Sequence, residues 1–419
     1  MEIKMTPLHG KAVKGKRVLL RLDINCPIDP STKKIVNDNR IVKSIPTLKY
    51  LSDGGAKTAI IAHQGDTLDY QNLISMEEHA KRLTSLMGKN VFYIDDVCGP
   101  AALERIKMLQ DGEIILLGNL RYLTEEVSTF EKDVKLSPFQ MLDTYLVRSL
   151  APLFDMYVND AFSAAHRNAP SMVAFQELLP TAAGFLLFEE YKALSSVRYG
   201  AKKPCVFVLG GAKISDAFGM MEIVLQNGTA DKILTAGVTG IVMLMAKGVD
   251  VGEKTVNFLK DRDLLTFVDE AKRYLDNYPE KIEAPLDLAM EIDGQRKEIE
   301  LHEMPKNTLF MDIGAKTAER YAKVIKTAGT VFANGPAGVY ENPVFEDGTR
   351  GIWQAIAESR GYSVIGGGDT VNSASKFIDL SSVNYVCTAG GAMIRFMSGK
   401  KLPLIEAMER AYCRDLQKG

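Results

Sequence analysis

The chain has 419 residues, enough for two or three domains with their own cores, and 46% hydrophobic with 25% charged residues excludes a disordered chain. A net charge of -2 excludes the strongly basic surface of a nucleic-acid binder. The cysteines (Cys26, Cys98, Cys205, Cys387, Cys413) are scattered without a CxxC pair, which fits free thiols rather than disulfides or a zinc site.

No signal-peptide pattern and no run of about 18 apolar residues occurs, so a cytoplasmic protein without a membrane or nucleic-acid partner is expected. In chain order, the first element is "VLLRLDINCP", an apolar run followed by Arg21, Asp23 and Asn25 in alternation. Side chains alternate along a strand, so those three polar groups share one face where the strand ends. Arg40 follows in "NDNRIVKSIPTLKYL", near the start of a predicted helix. Further apolar runs end in polar residues or glycine at "TAIIAHQGD", "EIILLGNLR" and "DMYVNDAF". Helical spacing separates them, as in "SMEEHAKRLTSLMG". Residues 184–200, "GFLLFEEYKALSSVRYG", predict a long connecting helix.

A second set of runs then appears: "CVFVLGGAK", "KILTAG", "TLFMDIG", "TVFANGP", "YSVIGGGD" and "NYVCTAGG". The helical "TAERYAKVIKTAG" lies among them, closed by a glycine at its expected end, and "PLIEAMERAYCRDLQ" finishes the chain as another helix. Strands alternating with helices predict an α/β fold with two similar-sized, doubly wound, Rossmann-like parallel sheets. The expected division is an N-terminal domain over 1–183, a hinge helix over 184–200, a C-terminal domain over 201–398, and a segment over 399–419 that returns to the first domain. Such sheets bind ligands beyond the carboxyl ends of their strands.

The halves differ chemically. Strand ends of the first carry Arg21, Asp23, Asn25, His63, Arg121, Asn159, Asp160, His166 and Arg167, and guanidinium forks suit a small anion bearing carboxylate or phosphate. Strand ends of the second carry Gly210, Gly211, Gly237, Gly335, Gly338, Gly366, Gly367, Gly368, Gly390 and Gly391, which let backbone N–H groups approach phosphates. "VLGGAKISD" is neither GxGxxG nor a P-loop; Lys213 reads equally as a phosphate partner or a solvated lysine. In "VIGGGDTVNSA", Asp369 can hold Mg²⁺, and Asp369 or Thr370 can equally cap a helix. In "FANGPAGVYENPVFEDGT", Asn334, Gly335 and Pro336 fix a turn and Glu341 can accept from a ribose, although such residues also make generic turns. No Ser-His-Asp or metal-ligand histidine pattern stands out. The missing GxGxxG after the first strand argues against a nicotinamide-dependent dehydrogenase.

Together the motifs resemble the phosphoglycerate kinase family. Its pattern RVDFNVP, HLGRP, ENLRF, NDAFGTAHR, GGAKVSDK, WNGPxGVFE and GGGDT is matched in order by "RLDINCP", "HQGD", "GNLRY", "NDAFSAAHR", "GGAKISDA", "ANGPAGVYE" and "GGGDT", across nearly the whole chain. The "AHQG" variant and short linkers are most similar to archaeal members. The resemblance implies a kinase with a carboxyl group as acceptor. Its reaction would be reversible, Mg²⁺-dependent in-line transfer from 1,3-bisphosphoglycerate to ADP, giving 3-phosphoglycerate and ATP in glycolysis or gluconeogenesis, across a cleft closed by hinge motion. It implies a triose site of Arg21, Asp23, Asn25, Arg40, His63, Arg121 and Arg167. The implied nucleotide site is Gly210, Gly211, Ala212, Lys213, Gly237, Asn334, Pro336, Glu341, Gly366, Gly367, Gly368, Asp369 and Thr370. Arg40, Lys213, Gly367 and Gly368 would be catalytic, with Asp369 as metal ligand. A monomer is the family default, with dimers among archaeal relatives. The chain departs from the pattern at Asp66 (arginine in HLGRP), Ala217 (the second lysine of GGAKVSDK), Gly118 and Ala333. Those departures leave a degenerate, binding-only relative as the non-enzymatic alternative; with Arg40, Lys213 and Asp369 kept, activity is expected.

Overall fold

The computed structural model describes residues 3–65 and 73–417, so Asp66 lies outside the described residues. The chain forms two compact units, one of residues up to Lys192 together with those from Lys401, the other of residues 193–400. The division falls inside the helix Phe185–Gly200, which the apolar spacing of residues 184–200 predicts to within one residue.

The first unit holds six strands: β1 (Arg17–Leu22), β2 (Lys57–Ile61), β3 (Val91–Tyr93), β4 (Ile114–Leu116), β5 (Met156–Asp160) and β6 (Thr181–Ala183). All pair in parallel, in the order β3-β4-β2-β1-β5-β6. Helices cover both faces, which is why β1 and β5 are buried almost end to end. The C-terminal helix Pro403–Leu416 belongs to this unit: Leu404 N–H donates to the Ala165 carbonyl (3.2 Å), and Arg414 to that of Leu179 (2.8 Å).

The second unit begins with β7 (Cys205–Leu209), β8 (Lys232–Thr235) and β9 (Ile282–Glu283). A separate antiparallel sheet follows, made of β10 (Asp287–Ile292), β11 (Gln295–Glu300) and β12 (Phe310–Ile313) in the order β11-β10-β12. The chain then returns to the parallel sheet with β13 (Thr330–Asn334), β14 (Tyr362–Gly366) and β15 (Tyr385–Cys387), giving the order β15-β14-β13-β7-β8-β9. This antiparallel sheet corrects one expectation: "TLFMDIG" is not a parallel strand but an outer strand of the separate sheet, paired antiparallel with β10.

Helix Ala315–Lys326 also ends sooner than its trailing glycine suggests. Its last turn closes at Thr327. Gly329 instead lies against the strand entering β7: a Cβ there would sit 2.6 Å from the Lys203 carbonyl oxygen. Helix Glu77–Met87 does stop as its sequence predicts, with Gly88 in the left-handed region (φ 63°) and its N–H on the Thr84 carbonyl.

Candidate functional site

Each parallel sheet has one switch point, where neighbouring strands feed connections running to opposite sides. In the first unit it lies between β1, whose chain continues to β2, and β5, whose chain continues to β6. Arg21 stands on β1, followed by Asp23 and Asn25, and the expected triose residues gather there. The Asp23 carboxylate pairs with Arg40 at 2.5 Å and accepts the Asn25 N–H at 3.2 Å. The Asn25 side-chain Oδ1 accepts from Gly65 N–H at 3.0 Å.

Arg21 is buried; its Nη2 donates to His63 Nδ1 (2.9 Å), its Nε to Ser171 Oγ (3.2 Å), and its Nη1 to the Leu22 carbonyl. An arginine can only donate, so His63 Nδ1 is the acceptor and the ring proton sits on Nε2. Burial, then the charges of Arg21, Arg121, Arg167 and Arg40, hold the His63 pKa well below its ordinary value, so the ring is a neutral donor among four cations. Arg121 is held by the Glu126 carbonyl at 2.7 Å and Arg167 by the Glu131 carboxylate at 2.6 Å. Arg167 Nη2 is buried and has no hydrogen-bond partner among the described residues.

Three supports of this cluster are not among the expected site residues, and two of them, Glu126 and Glu131, lie outside every motif. Glu126 is buried and accepts both the N–H (2.7 Å) and the hydroxyl (2.6 Å) of Ser171, so Ser171 links its carboxylate to Arg21. Glu131 restrains Arg167. Asn119, fully buried, holds Gln64 and Ile74 through its side-chain amide, on either side of the undescribed stretch.

In the second unit the switch point lies between β7 and β13. The loops beyond them interlock: Gly210 N–H donates to the Asn334 carbonyl (2.9 Å) and Gly211 N–H to that of Pro336 (2.7 Å). No side chain fits at the crossing, since a Cβ on Gly210 would lie 2.3 Å from the Pro336 oxygen. Gly335, at φ 88°, needs the left-handed region as well. Beside the crossing lies a cavity of about 310 Å³. Of the expected nucleotide residues, Gly211, Ala212, Gly237, Pro336, Glu341 and Asp369 line it.

The others stand behind or beside it. Gly210 and Gly366 are buried. The side chain of Asn334 donates to the Gly366 carbonyl (2.6 Å), and the Thr370 hydroxyl accepts from Gly335 N–H (2.8 Å), so both lace the β13 and β14 loops together. Gly367 has φ 104°, and a Cβ there would meet the Asn334 amide at 2.8 Å; at Gly368 nothing lies within 4 Å. Lys213 is exposed at the start of helix Ile214–Gln226; its carbonyl accepts the Asp216 N–H (3.1 Å), and its ammonium has no hydrogen bond or ion pair among the described residues.

The apolar wall was not foreseen. Phe258, Leu309, Phe310, Met311, Val339 and Tyr340 line the cavity, with Phe258 and Phe310 edge to face at 6.2 Å. Only the aromatic and aliphatic run at "TLFMDIG" hinted at it. The lining thus combines apolar side chains with two carboxylates and bare backbone, which fits a ligand with a flat apolar part and a polar chain. Burial and then the Glu341 and Asp369 charges raise the Tyr340 pKa.

Asp369 fits a divalent cation: it is exposed on the cavity, and Mg²⁺ is usually held by one or two carboxylates plus substrate phosphates. Among the described residues no helix is long and apolar enough to cross a membrane.

The family model described as Phosphoglycerate kinase matches residues 8–400. The phosphoglycerate kinase of Methanothermobacter thermautotrophicus is 41% identical over 411 residues, covering 98% of both chains. That of Methanothermus fervidus is 42% identical over 397 residues, covering 95% of both. The crystal structure of phosphoglycerate kinase from Pyrococcus horikoshii OT3 matches with a TM-score of 0.86 at 38% identity, covering 98% of this chain and 100% of that one. With its motifs, its paired sheets and its mostly archaeal relatives in agreement, the chain belongs to the phosphoglycerate kinase family, phosphotransferases with a carboxyl group as acceptor.

Proposed function

We propose that the chain reversibly transfers the acyl phosphate of 1,3-bisphosphoglycerate to ADP, the first unit holding the triose and the second the nucleotide. The observation that carries this reading is the cluster of four arginines around a neutral His63, with the buried Arg167 Nη2 still open. A buried donor without an acceptor is costly unless an anion completes it.

In the direction that forms 1,3-bisphosphoglycerate the attacking group is the carboxylate of 3-phosphoglycerate, ionised at neutral pH with a pKa near ~4. No general base is required, and the residues work by orientation and charge. Asp23, Asn25 and the His63 Nε2–H orient the glycerate, and Arg21, Arg121 and Arg167 hold its phosphate. Arg40 and Lys213 neutralise charge on the transferring group, aided by backbone N–H groups at Gly367 and Gly368. Gly210, Gly211, Gly237 and Pro336 shape the phosphate end of the nucleotide site, Asn334 and Thr370 brace it, and Glu341 accepts from the ribose. Asp369 would hold Mg²⁺, which neutralises phosphate charge when bound.

A coupled assay with 3-phosphoglycerate, ATP and Mg²⁺ tests the reading: turnover dependent on both substrates is expected, and nucleotide binding without turnover would leave a binding-only relative. The ligands must meet, so residues 184–200 serve as a hinge and ligand binding closes the units. X-ray scattering should show compaction only with both ligands; an unchanged radius of gyration would rule closure out.

A further inference from the structure

The cavity lining at Phe310 and Met311 is not part of the parallel sheet; the antiparallel sheet must hold it. One side chain of that sheet reaches several of the parts that frame the cavity. Arg296, on β11, donates to the Glu298 carboxylate (2.9 Å), to the Asp312 carboxylate on β12 (3.0 Å), and to the carbonyls of Ile313 (3.1 Å) and Val344 (3.4 Å). Asp347, in the first turn of helix Asp347–Glu358, lies 3.9 Å away.

Asp312 is buried and directly behind the wall. Its carboxylate also accepts the N–H groups of Gly348 (2.7 Å) and Ile313 (2.9 Å). The backbone of Gly338 packs on it so closely that a Cβ there would sit 2.5 Å from Oδ1. The preceding residue, Met311, accepts the Val339 N–H at 2.8 Å. The Arg296–Asp312 pair therefore ties the lining at Phe310 and Met311 to the adjoining loop at Gly338–Glu341 and to the helix start at Gly348.

We propose that Arg296 is a positioning residue for the nucleotide, acting through Asp312 to hold the adjoining cavity-lining segments, Phe310–Met311 and Gly338–Glu341, in the arrangement that binds it. This rests on the cavity being the nucleotide site. A planar fork reaches two carboxylates and two carbonyls at once, which a lysine ammonium cannot do. Without Arg296, Asp312 would be a buried carboxylate with no counter-charge; burial already pushes its pKa up to about 6 with Arg296 beside it. The wall would then open to water or the carboxyl would take up a proton and weaken its hold on Gly348.

The test uses the full chain, with calorimetric titration of ADP in excess Mg²⁺ and steady-state kinetics, on Arg296→Gln and Arg296→Lys. In Arg296→Gln the Kd and KM for nucleotide should rise about tenfold, with kcat within about twofold and the phosphoglycerate KM unchanged. Arg296→Lys keeps the charge without the fork and should rise about threefold. If the glutamine variant does not fold, the lysine variant decides alone. Unchanged nucleotide affinity in a folded variant overturns the inference, as does an equal rise in both KM values. Wild-type protein that does not bind ADP would overturn the cavity's assignment and the inference with it.

Discussion

Arg40 differs from its neighbours in exposure: 39% of its side chain is accessible, whereas Arg21 and Arg121 are buried. Arg21 is tied to Ser171, His63 and the Leu22 carbonyl, Arg121 to Glu126, and Arg167 to Glu131. Arg40 has Asp23 on one nitrogen and solvent around much of the rest, so it is the guanidinium free to follow a moving phosphoryl group. Arg40→Ala should lower kcat by about 10²–10³ with little change in nucleotide Kd. An equal loss in calorimetric nucleotide affinity would remove it from the catalytic role. Arg21 was legible because strand alternation exposes it as a polar residue on one face of an apolar run, and Arg121 and Arg167 because they follow such runs, whereas Arg40 lies on a helix. Glu126, Ser171 and Glu131 were not: they sit on short helical turns with no periodic contrast, and only the folded chain brings them under the arginines.

Between elements, the loop crossing separates two kinds of glycine. Gly210 is required by the protein itself, since a methyl would strike the Pro336 carbonyl, a rigid backbone atom. Gly368 has no such neighbour, and a methyl there projects into open space. Gly210→Ala should therefore lower the melting temperature and weaken nucleotide binding together. Gly368→Ala should melt like wild type and lose turnover alone, because only bound phosphate would meet the methyl. A melting loss in Gly368→Ala comparable to that of Gly210→Ala would refute the distinction. In the sequence both read simply as glycines at strand ends, since a one-dimensional pattern cannot show what lies opposite a Cα. The antiparallel sheet was missed for another reason. Its turn, Asp293-Gly294, has both residues at positive φ (53° and 74°), the Asp-Gly signature of a two-residue hairpin. The flanking "LDLAMEI" and "QRKEIE" lack the apolar contrast of the buried parallel strands, and the latter is largely exposed.

At the scale of the whole molecule, pH acts unequally on the two units. His79, buried beneath the first sheet with Nε2 2.9 Å from Gln64 Oε1, has its pKa lowered to about 4 by burial. Its folded value is below its unfolded value near 6.5, so the stability it contributes is full above pH 6.5 and is lost as pH falls. At pH 5 the loss is about 2 kcal/mol. His63 acts in the same direction. Asp160, raised to about 6 by burial, acts oppositely, because its protonated form suits the folded state. Carboxylates held low by ion pairs, such as Glu113 and Glu346, titrate below this window. His79→Gln should therefore remove about 2 kcal/mol of the stability change between pH 7 and pH 5, whatever the substitution costs at either pH. The single tryptophan, Trp353, is buried in the other unit, so its fluorescence follows that unit's unfolding while far-ultraviolet circular dichroism follows both. The altered pH slope should appear in the dichroism transition of denaturant unfolding and leave the Trp353 transition in place. Equal pH slopes for variant and wild type would show that His79 titrates normally, and a matching shift at Trp353 would show that the two units unfold as one.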